Sequence, residues 1–477
     1  MGLSLFTIAI LVGIAVLYAL LIPSGWRKWA LFFASILFIY TLQPSIFVRW
    51  LDFFLPTLTL SIVASSWYLT RKDEQTITAQ DWIALGLIVG AIITLSLLRF
   101  VDPDLRWLVA SRPPPLQFVL IPIALFLGFA VALNKLAFRH GVLLISITLL
   151  FVILKTEFIA TWVSKLLRTG TAQDVSLASS IDLNWLGFSY IAFRIIHTIR
   201  DRQSGLLPEL SLQEYVSYIL FFPSLIAGPI DRAERFVDDF RKLPETINFE
   251  AQYIESFIRI SVGIFKKFVI ADTLAQGLSL TPINALQADN VLGLWVLLYG
   301  YALRLFFDFS GYSDIVIGIG ILFGIRLPEN FNQPYTRTSI TKFWQSWHIT
   351  LSNWARFYVF SPLSRQLLRR QPKPSPIFIV LISQLSTMTL IGLWHGVTVN
   401  FLVWGIWHGL GLFVHKQFSD RTRPFYRKLK KKPRQQFLAD SIAWFITFQF
   451  VVLGWVWFVM PDFKQALIVF AKLFGLH

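Results

Sequence analysis

Apolar stretches of nearly membrane-spanning length, separated by short polar punctuations, recur from one end of the chain to the other. A bilayer core takes roughly 20 apolar residues of helix. The pattern predicts spans at Leu3 to Ile22, in two further stretches up to Leu69, and at about 82–98, 117–134, 142–163, 185–198, 214–230, 252–270, 291–309, 312–324, 376–395, 399–415, 438–460 and 463–475. The expected fold is an all-α integral membrane protein, a bundle of about eleven to fourteen spanning or re-entrant helices. Three segments, 312–324, 399–415 and 463–475, are short for a span. Irregular backbone at membrane depth is tolerated only under protein or around a water-filled space, so a cavity inside the bundle is expected. Leu3 to Ile22 has no basic residues before it and no small-residue cleavage site after it, and reads as a retained helix. Arg27 and Lys28, then Arg71 and Lys72, place cytoplasmic loops after the first and third stretches and the N-terminus outside. No repeat or long polar linker divides the chain, so 1–477 reads as a single domain.

Composition sharpens this picture. Hydrophobic residues make up 55% and charged residues only 15%, which rules out an ordinary soluble chain. The net charge of +16 therefore reads as basic cytoplasmic loops and not as a nucleic-acid surface. The most basic segment, Arg421 to Gln436, is expected to be a cytoplasmic loop held against anionic membrane lipids. Cysteine is absent, which removes disulfides, thiolate metal sites and an acyl-thiol intermediate on the protein. No phosphate-binding loop, zinc-protease helix or serine elbow is present, and no metal site is expected. Gly318, Gly320 and Gly324 have the wrong spacing for a dinucleotide fingerprint, and Gly405 with Gly409 suits close helix approach.

Ionisable and imidazole side chains inside a bilayer cost a few kcal/mol each, so four places stand out. Arg194 and His197 share a helix face and fit either a buried pair or a pair snorkelling at the membrane edge. Arg304 and Asp308 have i,i+4 spacing, and Ser310, Gly311, Tyr312 and Ser313 then interrupt the apolar run. They fit an internal ion pair closing a helix break, or a direct role in a substrate path. Trp344, Trp347, Leu351 and Trp354 form one stripe of an amphipathic helix, with His348 beside it as a hydrogen-bonded interfacial residue or a catalytic one. Finally, His395 stands between Trp394 and Gly396 in an apolar segment, and Asn400, Trp404 and His408 follow on a single helix face. A neutral ring in dry surroundings suits a general base, with core hydrogen bonding as the alternative for His395 and His408.

The segments Phe222-Pro-Ser-Leu-Ile-Ala-Gly228-Pro229-Ile-Asp231-Arg232, Phe307-Asp308-Phe-Ser-Gly311-Tyr312-Ser, Glu329-Asn-Phe331-Asn332-Gln-Pro334-Tyr335, Phe343-Trp-Gln-Ser-Trp347-His348-Ile-Thr-Leu-Ser352 and Leu393-Trp394-His395-Gly396 follow one another along the chain. In order and spacing they resemble the membrane-bound O-acyltransferase family, and within it the bacterial alginate O-acetylation and teichoic-acid D-alanyl transfer branch. The resemblance covers a core at about 185–460; residues 1–184 read as peripheral N-terminal helices and are similar only in being hydrophobic.

The resemblance implies a helical bundle in the cytoplasmic (inner) membrane, pierced by a central tunnel. A cytoplasmic acyl donor would enter from one side and a hydroxyl acceptor from the other. The family's invariant histidine falls on His395, and its second position, often histidine and sometimes asparagine, falls on His348. His395 would take the proton from the acceptor hydroxyl, and His348 would orient the donor or polarise the carbonyl, with no protein nucleophile. Asp308, Arg304, Asn400, Trp394 and His408 would support the substrate path. No cofactor is expected to be bound. The co-substrate would be an acyl thioester, acetyl-CoA or an acyl carrier protein, and the partner an extracytoplasmic polymer or acyl-relay protein; no nucleic acid is expected. Two rivals are a transporter or flippase for a lipid-linked sugar and a non-catalytic scaffold of a polysaccharide assembly.

Overall fold

The computed structural model describes residues 4–476 apart from 73, 102–106, 244–248, 289 and 430, so Lys430 of the basic segment lies outside the described residues. All regular structure among them is helical. Among the described residues six helices are long and apolar enough to cross a membrane, or up to seven if one bent pair counts as a single span. The rest of the helical structure consists largely of shorter helices, so the count of full spans falls below the eleven to fourteen spanning or re-entrant elements expected. The chain forms two compact units, one of Ile258–Ile315 with Pro328–His477, the other of the chain up to Phe257 with Val316–Leu327.

In the unit that holds the N-terminal half, the candidate spans are α1 (Leu51–Thr70), α2 (Ala79–Leu97, prolonged by a 3-10 turn to Phe100) and α3 (Leu116–Asn134). Helix α1 buries hydroxyls that would be costly unbonded. Thr57, Thr59 and Ser61 return theirs to the carbonyls of Phe53, Leu55 and Thr57 at 2.9, 2.9 and 3.0 Å, so the helix satisfies these three side chains itself. Helices α4 (Arg139–Lys155) and α5 (Glu157–Gly170) meet at an elbow of 93°. Arg194 does not snorkel: its guanidinium is buried and donates to the carbonyls of Tyr218, Ile219 and Ser224 at 3.2, 2.8 and 3.2 Å, where the helix Leu212–Ile219 ends. His197 pairs with Asp201 at 2.9 Å. Both residues therefore brace this unit.

The other unit departs from the sequence reading in four places. The polar Ser310 to Ser313 stretch does not break a helix; α6 runs unbroken from Val291 to Leu322. Its small residues permit close packing, since a Cβ on Gly311 would lie 2.7 Å from the Gly263 carbonyl oxygen. The aromatic stripe is not one helix but two short ones, Ile340–Trp344 and Ile349–Ala355, although Trp344, Trp347, Leu351 and Trp354 are all buried. The segment 399–415 is the start of a long helix, α8 (Val399–Leu429), preceded by α7 (Pro376–His395) and followed by α9 (Pro433–Val459). Consequently most of the basic Arg421 to Gln436 segment is helical and not a loop. Gly392 and Gly405 let α7 and α8 touch backbone to backbone: a Cβ would come 2.2 Å from the Phe401 oxygen and 2.6 Å from the Met388 oxygen respectively.

Candidate functional site

The site grows from a kink. His348 takes left-handed backbone angles (φ 42°, ψ 54°) between the two short helices and caps the second. That conformation is uncommon outside glycine, and histidine is among the residues that tolerate it better. The segment around Asn330 pins the kink, with the Ile349 amide donating to the Asn330 carbonyl and the Asn332 amide to that of Ser346, both at 2.9 Å.

The Asn330 side chain then sets the chemistry of the ring. Its Oδ1 lies 3.0 Å from His348 Nδ1, 2.8 Å from Thr350 Oγ1 and 3.3 Å from the Thr350 amide. A backbone N–H only donates, so this atom is the amide oxygen and Nδ1 must carry the imidazole proton. Nε2 is left with a lone pair, and it is buried with no hydrogen-bond partner among the described residues. The residue is 3% exposed, packed edge-on against Phe309 at 4.7 Å and against Trp394 at 6.2 Å. It lies outside the candidate spans; burial first, and His395 second, push its pKa down to about 3, so the ring is neutral at physiological pH.

His395 is the last residue of α7, held in a ring cage by Trp394 at 4.5 Å, Phe458 at 4.8 Å, Trp404 at 5.5 Å and Phe401 at 5.8 Å. It is only partly buried. Trp394 touches both imidazoles, so the fold brings together the two histidines and the tryptophan named from the sequence. On α8, Asn400, Trp404 and His408 do share one buried face. Asn400 Nδ2 donates to the Met460 carbonyl at 2.7 Å. His408 is 0% exposed, boxed by Trp404, Trp344 and Phe450 at 4.8, 5.2 and 5.7 Å, and neither ring nitrogen has a partner among the described residues.

The acidic side chains find other partners than the sequence suggests. Asp308 pairs with Lys267, not with Arg304, which makes no ion pair among the described residues. Lys266 pairs with Asp314 at 2.7 Å, and Arg259 bridges Asp314 at 3.1 Å and Glu329. Both lysines lie on a π-helical turn, Phe265–Ala271, a feature often found at functional sites. Arg259 lies on the helix Phe249–Ile264 that runs into this turn and pairs with Glu329, the residue just before Asn330, so these charges abut the segment that orients His348.

Asn330 and Lys267 escaped the sequence reading. Asn330 stands in a segment quoted there, but an amide among aromatics carries no chemical signature by itself. Lys267 sits 41 residues before its carboxylate, beyond any local pattern.

Residues 136–454 match the membrane-bound O-acyltransferase (MBOAT) family. The chain is 35% identical over 291 residues to the probable alginate O-acetylase AlgI of Pseudomonas syringae pv. tomato, covering 61% of this chain and 52% of that protein. It is 36% identical over 270 residues to the peptidoglycan O-acetyltransferase of Helicobacter pylori, covering 55% and 47%. Against the teichoic acid D-alanyltransferase of Streptococcus thermophilus it is 33% identical over 287 residues, covering 58% and 68%. The chain spans about half the length of the first two of these relatives.

Proposed function

The chain belongs to the membrane-bound O-acyltransferase family, and on that premise we propose that it moves an acyl group, acetyl or D-alanyl, from a cytoplasmic thioester to a hydroxyl of an extracytoplasmic cell-envelope polymer or relay protein. Acetyl-CoA or an acyl carrier protein is the donor, and the bacterial cytoplasmic membrane is the location. Donor and acceptor meet at the imidazoles through a tunnel open to both sides. The observation that carries the reading is the buried Nε2 lone pair of His348, held in one tautomer by Asn330 and sharing Trp394 with His395.

His395, the more open ring, takes the proton of the acceptor hydroxyl as its oxygen attacks the thioester carbonyl. The C–O bond forms, the C–S bond breaks, and the thiolate leaves with that proton. In its tautomer His348 accepts at Nε2 and does not donate there. It therefore holds a donor N–H or O–H of the bound substrates in place, and does not polarise the carbonyl oxygen. General-base assistance contributes roughly 10²–10⁴-fold, and the aromatic cage keeps competing water from the thioester. Asn400, Trp404 and His408, each with a buried polar atom lacking a partner among the described residues, support the path, as do Asp308 and Arg304 at its charged side.

The test is transfer of a labelled acetyl group from acetyl-CoA, and of a D-alanyl group from its carrier protein, by the purified full chain in nanodiscs with soluble polymer fragments. One of the two donors is expected to support transfer. His395→Ala is expected to lose at least about a hundredfold while the unfolding temperature holds. Folded His395→Ala and His348→Ala proteins that both keep wild-type transfer would overturn the reading and leave a scaffold.

A further inference from the structure

The elbow between α4 and α5 carries a cleft that no step above uses. Lys155 closes α4, Glu157 opens α5, and the two helix axes diverge by 93°. Beside them Ser180, Asn184, Trp185 and Ser189 line an open cleft of about 480 Å³. This lies within the 300–1,000 Å³ range of small-molecule sites.

Helix α5 is inside out for a water-facing helix. Phe158, Trp162 and Leu166, four residues apart, are 80%, 56% and 52% exposed. The opposite face buries Ala160, Ser164 and Arg168, with Asp182 taking Arg168 at 2.9 Å and the Ser164 hydroxyl at 2.7 Å. A helix that buries Arg168 and shows aromatics, with only Glu157 and Lys165 as exposed charges beside them, suits the lipid boundary, and its turn away from α4 suits a position along the membrane interface, where tryptophan is favoured.

At that depth the cleft offers two opposite charges with no mutual partner. Lys155 Nζ lies 5.9 Å from the Phe151 ring centroid, and neither Lys155 nor Glu157 makes an ion pair among the described residues. A cation and an anion two residues apart, flanked by two serine hydroxyls, complement a zwitterion and not a simple anion. We propose that this cleft binds the headgroup of a zwitterionic phospholipid of the phosphoethanolamine class. Lys155 and the hydroxyls of Ser180 and Ser189 take the phosphodiester oxygens, Glu157 takes the ammonium, and the acyl chains run over the exposed apolar face of α5. An anionic headgroup lacks the ammonium and meets Glu157 uncompensated.

Native mass spectrometry of the delipidated full chain tests this, titrated with phosphatidylethanolamine, with phosphatidylglycerol of the same chains, and with soluble glycerophosphoethanolamine. One phosphatidylethanolamine is expected to bind about tenfold more tightly than phosphatidylglycerol. Lys155→Gln is expected to weaken it about tenfold, and Glu157→Gln, at an exposed position, to erase the preference between the two lipids. Equal binding of the two lipids by the wild type, or a preference unmoved by Glu157→Gln, overturns the proposal. Soluble headgroup binding as tightly as the lipid overturns the membrane source.

Discussion

Replacing Asn330 with Ala removes one oxygen that accepts three hydrogen bonds, from His348 Nδ1 at 3.0 Å, Thr350 Oγ1 at 2.8 Å and the Thr350 amide at 3.3 Å. A buried donor stripped of its acceptor costs about 1–3 kcal/mol. Because the three share one acceptor their losses do not simply add, and the fold should lose about 2–4 kcal/mol. Only the first bond fixes the imidazole. Losing its net worth of about 1–1.5 kcal/mol frees the ring to rotate and change tautomer, lowering kcat about five- to tenfold with KM little changed. Asn330→Asp separates this positioning role from mere support. A carboxylate accepts the same three protons but places a negative charge on Nδ1–H, which favours the protonated ring and lifts its pKa from about 3. Acyl transfer by Asn330→Asp should therefore fall away on acidification at a higher pH than in the wild type. The assay is the pH profile of acyl transfer in nanodiscs, with thermal unfolding alongside. Wild-type kcat in Asn330→Ala together with a lowered unfolding temperature would make Asn330 purely structural. An Asn330→Asp profile with no shift on the acid side would refute the tautomer reasoning outright.

Three further outcomes follow from the same geometry. Lys267→Ala strands the Asp308 carboxylate, and since that side chain is partly exposed the cost should be about 2–3 kcal/mol, less than for a fully buried pair; chemical denaturation should find most of it restored in Lys267→Met with Asp308→Leu. His408→Leu removes two buried nitrogens with no hydrogen-bond partner among the described residues, so the unfolding temperature should hold or rise while transfer declines; a drop of several degrees would reveal a bond to one of those nitrogens. The depressed pKa of His348 makes the unfolded chain bind a proton between pH 6.5 and about 3 that the folded chain refuses, so stability is full above pH 6.5 and falls below it. From pH 7 to 5 this group should remove about 2 kcal/mol, a slope that His348→Phe should lack when stability is followed against pH.

Hydropathy placed α7 to the residue and α9 to within a few, because both are long apolar runs bounded by proline or polar residues. It failed at Ser310 to Ser313, where polarity resembled a break. Ser310 and Ser313 are buried in an unbroken helix, and Gly311 is there for contact with Gly263. It also failed at His348, since aromatic spacings of three and four residues describe a helix equally well whether or not one residue between them is left-handed. The two histidines and Trp394 were legible because imidazole is conspicuous in apolar sequence. Asn330 and Lys267 were not, because their work depends on partners 18 and 41 residues away. The i,i+4 rule offered Arg304 to Asp308, but the π turn supplies a lysine that lies deeper.

The backbone twist at position 348 acts as a filter on side chains before any chemistry is considered. β-Branched and bulky residues pay heavily for positive φ, whereas asparagine, aspartate and histidine enter that region several times more readily than most. Position 348 is thus one where main-chain shape disfavours most of the alphabet, and histidine combines entry to that turn with a short polar arm that faces Asn330. A replacement at 348 drawn from the residues the kink admits can therefore change the chemistry there without disturbing the turn that presents it.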